Sequence, residues 1–255
     1  MTNKLIHFWH GVWTFALRDI KTRYAGSVLG IVWILLYPIS MALITSVVFA
    51  LAFKKTVEQI PYFLYTLAGF SAWIFFVQSV ISATRSLVQN RDIVVNNNLR
   101  TEFILGGLIL SRAVDFIITT IFLIIIAIIF RVFYFNLIIF IESVLVLLLI
   151  TINISLITAA GNVYFRDLQV LIDIILNILF YATPIIYPLN AIPKKYLWIF
   201  CLNPLTSIFS GFRASIFHIP FSNLVLNCIL LGLLILTYII FIIYKKIEKN
   251  FAQFL

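Results

Sequence analysis

The sequence predicts an all-α integral membrane protein. It has six transmembrane helices, an N-terminal amphipathic helix at the membrane interface and a re-entrant hairpin between helices five and six. Three observations carry this. Of 255 residues, 63% are hydrophobic and 11% charged, with a mean hydropathy of +1.13. Soluble domains carry roughly 25% charged residues. Long charge-free runs recur along the chain, and the basic residues fall between them. This composition excludes a soluble globular enzyme and a disordered chain. At about 20 residues per span, six spans and short loops use up the length. No room is expected for a separate soluble domain of about 100 residues. The chain therefore reads as one transmembrane domain, residues 1–255.

Residues 1–23 read as the interface helix. Lys4, His7, Thr14, Arg18 and Lys21 share one face, and Leu5, Phe8, Trp9, Val12, Ala16 and Ile20 the other. A basic face opposite an aromatic one suits a helix lying in the headgroup layer. Arg18, Asp19, Lys21 and Arg23 interrupt the first apolar stretch, so no cleavable signal peptide is expected. The charge-free runs follow at 24–53, 59–84, 116–130, 143–165, 174–187 and 214–244. Between the last two lies 188–213, apolar but carrying Pro188, Pro193, Lys194, Lys195, Asn203 and Pro204. Prolines break the backbone ladder, and unpaired amides are costly in hydrocarbon. The segment is therefore read as a re-entrant hairpin and not a seventh span.

Charge placement supports six spans with both ends in the cytoplasm. The inner side collects Lys4, Arg18, Lys21, Arg23, Arg85, Arg91, Arg100, Arg112, Arg166, Lys245, Lys246 and Lys249. The outer side collects Lys54, Lys55, Arg131, Lys194, Lys195 and Arg213. Twelve against six obeys the positive-inside rule. The net charge of +9 is thus read as topology and lipid contact, not nucleic-acid binding.

The polar loop 85–112 holds Arg91, Asp92, Asn96, Asn97, Asn98, Arg100 and Glu102, with Ile93, Val94 and Val95 interleaved. A loop this long with its own pattern is read as a short amphipathic helix that contacts a cytoplasmic partner. Tyr62, Tyr65, Gly69, Trp73 and Phe76 fall on one helical face, and Trp33 and Tyr37 lie one turn apart. Aromatic faces stack on sugar rings and also form interfacial belts. Tyr62 and Tyr65 read as belt; for Trp33, Tyr37, Trp73 and Phe76 a conduit lining and simple packing both stand. Thr151, Ser155, Thr158 and Asn162 read as a packing face. Gly26 and Gly30 form a G-x-x-x-G that reads as a point of close approach. Arg112 and Asp115 are expected to pair, as are Arg166 and Asp167. Glu142 is expected at the outer surface. Cys201 and Cys228 have no metal or C-x-x-C spacing and read as core thiols.

Chemistry of other kinds finds little support. No chain of carboxylates or histidines crosses the spans, which disfavours ion coupling. His7, His10 and His218 meet no carboxylate cluster, and neither G-x-S-x-G nor H-E-x-x-H occurs. A membrane transferase acting on lipid-linked sugars would have only Asp167 and Asp173 as near candidates. No G-x-x-x-x-G-K-[ST] occurs, so ATP hydrolysis would need a separate subunit.

Four stretches in order resemble the ABC-2 type exporter permeases. The first is Arg18-Asp19-Ile20-Lys21-Thr22-Arg23-Tyr24-Ala25-Gly26, running on to Trp33 and Tyr37-Pro38. The second is the loop with Asn96, Asn97, Asn98 and Leu99. The third is Tyr164-Phe165-Arg166-Asp167-Leu168. The last is Thr183-Pro184-Ile185-Ile186-Tyr187-Pro188, followed by Asn203-Pro204-Leu205-Thr206 and Arg213. The match is best with the polysaccharide exporters of that family, which move lipid-linked O-antigen, capsule or teichoic acid. A drug or small-lipid exporter is the alternative within the family.

The resemblance implies a homodimer in the bacterial cytoplasmic membrane with two ABC ATPase subunits, which bind the ATP and magnesium. This chain would hold no cofactor. The glycan would pass between the two protomers, along a channel lined by Trp33, Tyr37, Trp73 and Phe76. Arg18, Lys21, Arg23 and Tyr24 would receive the lipid headgroup. Arg91, Asp92, Asn96, Asn97, Asn98, Arg100 and Glu102 would couple to the ATPase. Pro184, Pro188, Asn203, Pro204 and Arg213 would form the outer gate.

Overall fold

The computed structural model describes residues 2–27, 29–50, 56–57, 59–96 and 100–255. Lys54, Lys55, Asn97, Asn98 and Leu99, named above, lie outside the described residues, as does the side chain of Asn96. The elements are α1 (Thr2–Tyr24), α2 (Trp33–Ala50), α3 (Tyr62–Gln89), α4 (Arg91–Asn96), α5 (Thr101–Ile129), α6 (Leu137–Tyr164), α7 (Leu168–Tyr181), α8 (Leu197–Leu202), α9 (Pro204–Ile216), α10 (Asn223–Glu248) and α11 (Phe251–Phe254). One short hairpin pairs Thr56–Val57 with Ile60–Pro61 before α3.

Among the described residues, five helices are long and apolar enough to cross a bilayer: 30–49, Tyr62–Gln89, Thr101–Ile129, Leu137–Tyr164 and Asn223–Glu248. The architecture is that of an all-α membrane protein. The expected fifth span is a shorter helix, α7, of 14 residues. At 1.5 Å per residue it covers about 21 Å of a hydrocarbon core about 30 Å thick.

Helix α3 is the centre of the bundle. It packs against α2, α5, α6, α7 and α9. Its small residues Ala68, Gly69, Ser71, Ala72, Ser79 and Ala83 are all buried. Such residues let helices approach closely where lipid offers no hydrophobic drive. The polar face of α6 packs in the same way: Thr151, Ser155, Thr158 and Asn162 are each at most 4% exposed.

The N-terminal helix docks on α5 through Val12 and Ala16, which are 3% and 1% exposed. A Cβ on Gly107 would sit 2.5 Å from Phe15 Cβ and 3.0 Å from the Ala16 nitrogen, so glycine permits this seam. The expected apolar face of α1 divides. Val12 and Ala16 meet α5, whereas Trp9, together with Trp13, stays exposed, as the interfacial reading requires.

Several sequence expectations change. Gly26 and Gly30 have φ of 73° and 48°, and a Cβ on either meets nothing within 4 Å. They serve the turn between α1 and α2, where left-handed backbone favours glycine, and not close approach. Glu142 lies inside α6, because Asn136 caps that helix six residues earlier, its side chain accepting from the Ile139 amide at 3.2 Å. Cys201 and Cys228 are exposed; the face of α10 that carries Cys228 has no neighbour within the chain. Arg166 and Asp167 are both exposed and make no ion pair among the described residues.

Gly107→Ala is expected to destabilise the chain by about 1–3 kcal/mol by wedging α1 from α5. Gly232→Ala, where a Cβ meets open space, should be neutral or slightly stabilising through helix propensity. Thermal unfolding of both variants in detergent checks the contrast.

Candidate functional site: a gate segment and three adjoining cavities

The segment from Ala182 to Ser222 is where the chain departs from long helices. Its geometry is set by one buried arginine. Arg213, on α9, is 1% exposed. Its Nε donates to the Tyr65 carbonyl at 3.1 Å, and its Nη1 to the Pro184 carbonyl at 2.7 Å and the Tyr65 hydroxyl at 3.0 Å. Nη2 donates to the Ile185 carbonyl. The guanidinium also lies 3.8 Å from the Tyr65 ring centre, a cation–π contact. The Tyr62 hydroxyl donates to the Ile186 carbonyl. Three successive carbonyls of the loop after α7 are thus held by side chains from α3 and α9.

The same loop is tied to the start of α9. Asn203 donates to Thr183 Oγ1 at 2.9 Å, while its Oδ1 caps α9 through the Leu205 amide at 3.0 Å. Pro204 occupies the first turn of α9, where its missing N–H costs nothing. Pro184 and Pro188 are both buried. The structure therefore brings Pro184, Asn203, Pro204 and Arg213 into one connected cluster, with Pro188 four residues along the loop.

Tyr62 and Tyr65 are 2% and 5% exposed. They are loop anchors and not an interfacial belt, because their hydroxyls reach carbonyls inside the fold. A Cβ on Gly69 would run into the Arg213 guanidinium and lie 2.8 Å from the Ile185 carbonyl. The stripe on α3 is thus a seam for the loop.

Three cavities adjoin around the middle of α3. The first, of about 350 Å³, is lined by the expected residues Arg23, Tyr24, Trp33 and Tyr37, together with Arg112 and Asp115. The second, of about 380 Å³, is polar and includes Arg18, Arg85 and Arg112. The third is a groove of about 900 Å³ between α2, α3 and α7. Tyr37, Trp73, Phe180 and Tyr181 line it with Asp173 and Asn177. Gln78 lines all three. Phe76 is fully buried against Trp73 and lines none of them. Lys21 is exposed and also lines none.

The four expected headgroup residues are thus separated, and Arg23 is ion-paired. It bridges Asp19 and Asp115 and donates to Ser111, whose hydroxyl in turn donates to Asp19 at 2.6 Å. Burial works against the Arg23 charge, but the hydrogen bond to Asp19 and the charge of Asp115 outweigh it, so its pKa is raised. Burial, then Asp115, likewise pushes the Tyr24 hydroxyl up. The expected Arg112–Asp115 pair is long, at 3.9 Å, because Arg23 occupies that carboxylate.

Of the expected coupling residues, Arg91 and Asp92 on α4 and Arg100 before α5 are exposed. Val94 is buried against the chain's own core. Glu102 is 9% exposed and pairs with Lys245 at 2.5 Å. Beside it the Thr101 amide donates to Glu248 at 3.1 Å. Glu102 therefore fastens α5 to the end of α10. Sequence reading passed over Gln78, Asp115 and Tyr181 as site residues. A lone amide inside the charge-free run of 59–84 was the signal for Gln78.

Residues 10–217 match the family model described as the ABC-2 type transporter. The chain belongs to that family. It is 29% identical over 248 residues to the O-antigen export system permease protein RfbA of Klebsiella pneumoniae, covering 93% of this chain and 92% of that one. It is 26% identical over 200 residues to the protein of the same name from Myxococcus xanthus, covering 77% and 76%. It is also 26% identical over 203 residues to the polysialic acid transport protein KpsM of Escherichia coli, covering 75% of each chain.

Arg213→Met is expected to cost about 3 kcal/mol or more, because the Tyr65 and Pro184 carbonyls lose a buried charged donor. Hydrogen exchange of residues 183–188 should rise sharply in that variant, and Gly69→Ala should shift it the same way.

Proposed function

We propose that the chain is the permease subunit of an ATP-driven exporter for a lipid-linked polysaccharide, with O-antigen as the first expectation. The carrying observation is the groove between α2, α3 and α7. It is large enough for a sugar unit and combines aromatic faces with amide and carboxylate groups. Aromatic faces hold sugars weakly and in succession, which suits a polymer that must slide. The names of the relatives, O-antigen export permease and polysialic acid transport protein, support the same substrate class.

In this reading two copies face each other in the bacterial cytoplasmic membrane, with both termini in the cytoplasm. Tyr37 and Trp73 would line the conduit. The sparsely buried faces of α2 and α10 support contacts with lipid or the second copy. Helix α7 would be the fifth pass, shortened because residues 182–216 complete the crossing as a re-entrant gate held by Arg213. Residues Arg91, Asp92, Asn96, Asn97, Asn98 and Arg100 would meet two ABC ATPase subunits, which bind ATP and magnesium. Arg18, Lys21, Arg23 and Tyr24 would frame entry of the lipid anchor.

Tyr37→Ala and Tyr181→Ala should each slow export of long glycans about 2- to 10-fold, the rate equivalent of one aromatic contact. Surface glycan length and amount in cells lacking their own permease provide the check. Combined Arg91→Glu and Arg100→Glu should leave the chain in the membrane yet abolish ATP-dependent export. Unchanged export would remove the coupling role.

A further inference from the structure

The second cavity is built unlike the rest of the protein. Arginines from three helices converge on it: Arg18 from α1, Arg85 from α3 and Arg112 from α5. Asp19 is the lone carboxylate in its lining, and Arg23 already engages it. The cationic excess is not consumed locally. Arg18 makes no ion pair among the described residues, and Arg112 has only the 3.9 Å contact with Asp115 and a hydrogen bond to Ser82 at 3.0 Å. Arg85 holds Asp173 through Nη2 at 2.8 Å. The Nε–H groups of both Arg85 and Arg112 are buried without a protein acceptor, which ordinarily costs about 1–3 kcal/mol each. Thr22, Gln78 and Gln89 add further donors.

The neighbouring cavity differs in character. It shares Gln78 and Arg112 with the arginine cavity but is walled mainly by Trp33, Ile34, Phe75 and Phe116. One continuous site is thus charged at one end and aromatic and aliphatic at the other. Guanidinium forks match phosphate oxygens, often in bidentate pairs. Three forks on separate helices suit a ligand with more than one anionic oxygen pair.

We propose that the arginine cavity of Arg18, Arg85 and Arg112 binds the phosphate or diphosphate headgroup of an amphiphile, whose apolar portion occupies the adjoining Trp33–Phe116 cavity. This deepens the export reading and rests on it for the identity of the amphiphile. It also moves the anion site inward from the exposed basic face of α1. Gln78, common to both cavities and the α7 groove, marks where the headgroup would pass towards the sugar path.

The test uses the full chain in phosphatidylcholine nanodiscs with farnesyl diphosphate as probe. Farnesol, inorganic pyrophosphate and phosphatidylglycerol are the comparators. Farnesyl diphosphate should bind saturably and at least 10-fold more tightly than farnesol or pyrophosphate alone. Phosphatidylglycerol should fail to displace it. Combined Arg85→Gln and Arg112→Gln should weaken binding at least 10-fold, whereas Lys249→Gln, on the far tail of α10, should not. Should the double variant fail to fold, Arg85→Lys keeps the charge but loses the fork and should weaken binding at least 3-fold.

Equal binding of farnesol and its diphosphate, full displacement by phosphatidylglycerol, or unchanged binding in the folded arginine variants would each overturn the proposal. Tight binding of pyrophosphate alone would replace the amphiphile with a free anion and overturn it too. ATP-driven glycan export by the wild-type chain, measured in parallel, separates failure of this site from failure of the export reading.

Discussion

The outer half of this protein depends on a single constraint: backbone amides and carbonyls at membrane depth must find partners within the protein. Long helices meet it internally, but residues 182–222 do not form one. Arg213 makes that segment possible by donating to the carbonyls of Tyr65, Pro184 and Ile185. Irregular backbone at membrane depth is tolerated where protein buries it. The Tyr62 hydroxyl and Asn203 complete the satisfaction. Gly69 gives the arginine room. A loop held by side chains from two other helices is rigid when those helices are in register and released when they shift. That is the property a gate requires.

The cytoplasmic half uses charge differently. Arg23, Asp19, Ser111 and Asp115 weld the end of α1 to α5, and Glu102, Lys245, Glu248 and Thr101 weld α5 to α10. Helix α5 is thereby fastened at two levels, to the interface helix and to the C-terminal helix. The exposed residues of α4 lie immediately before its start. A push on α4 would be carried by α5 to both partners and to α3, against which it also packs. Two weld points on one rigid helix give a mechanical route from a cytoplasmic surface to the cavities around Gln78.

Composition and apolar runs made the fold class legible, since the helical period and span length leave few alternatives. Boundaries were less legible. Helix α5 begins at Thr101, far before the run that marked its span, because Arg112 and Asp115 lie inside the helix and find partners on α1 and α3. A charge inside a helix reads as a boundary until its partner is known. The site was legible in part. Arg213, Asn203 and Pro184 were named together, but their mutual contacts are tertiary and no spacing encodes them. Arg23 read as a free basic residue because its carboxylate Asp115 lies 92 positions away. The stripe on α3 was seen correctly as a face, but its function as a loop seam depends on which element covers it.

The central claim is that this chain forms an ATP-driven path for a lipid-linked glycan. Reconstitution of the chain with an ABC ATPase in proteoliposomes, loaded with a labelled lipid-linked glycan, tests it most directly. The account predicts that ATP renders the label accessible to a glycosidase on the opposite face, and that a non-hydrolysable nucleotide does not. Label that stays protected with ATP, while the two subunits form a stable complex that hydrolyses it, would contradict the account.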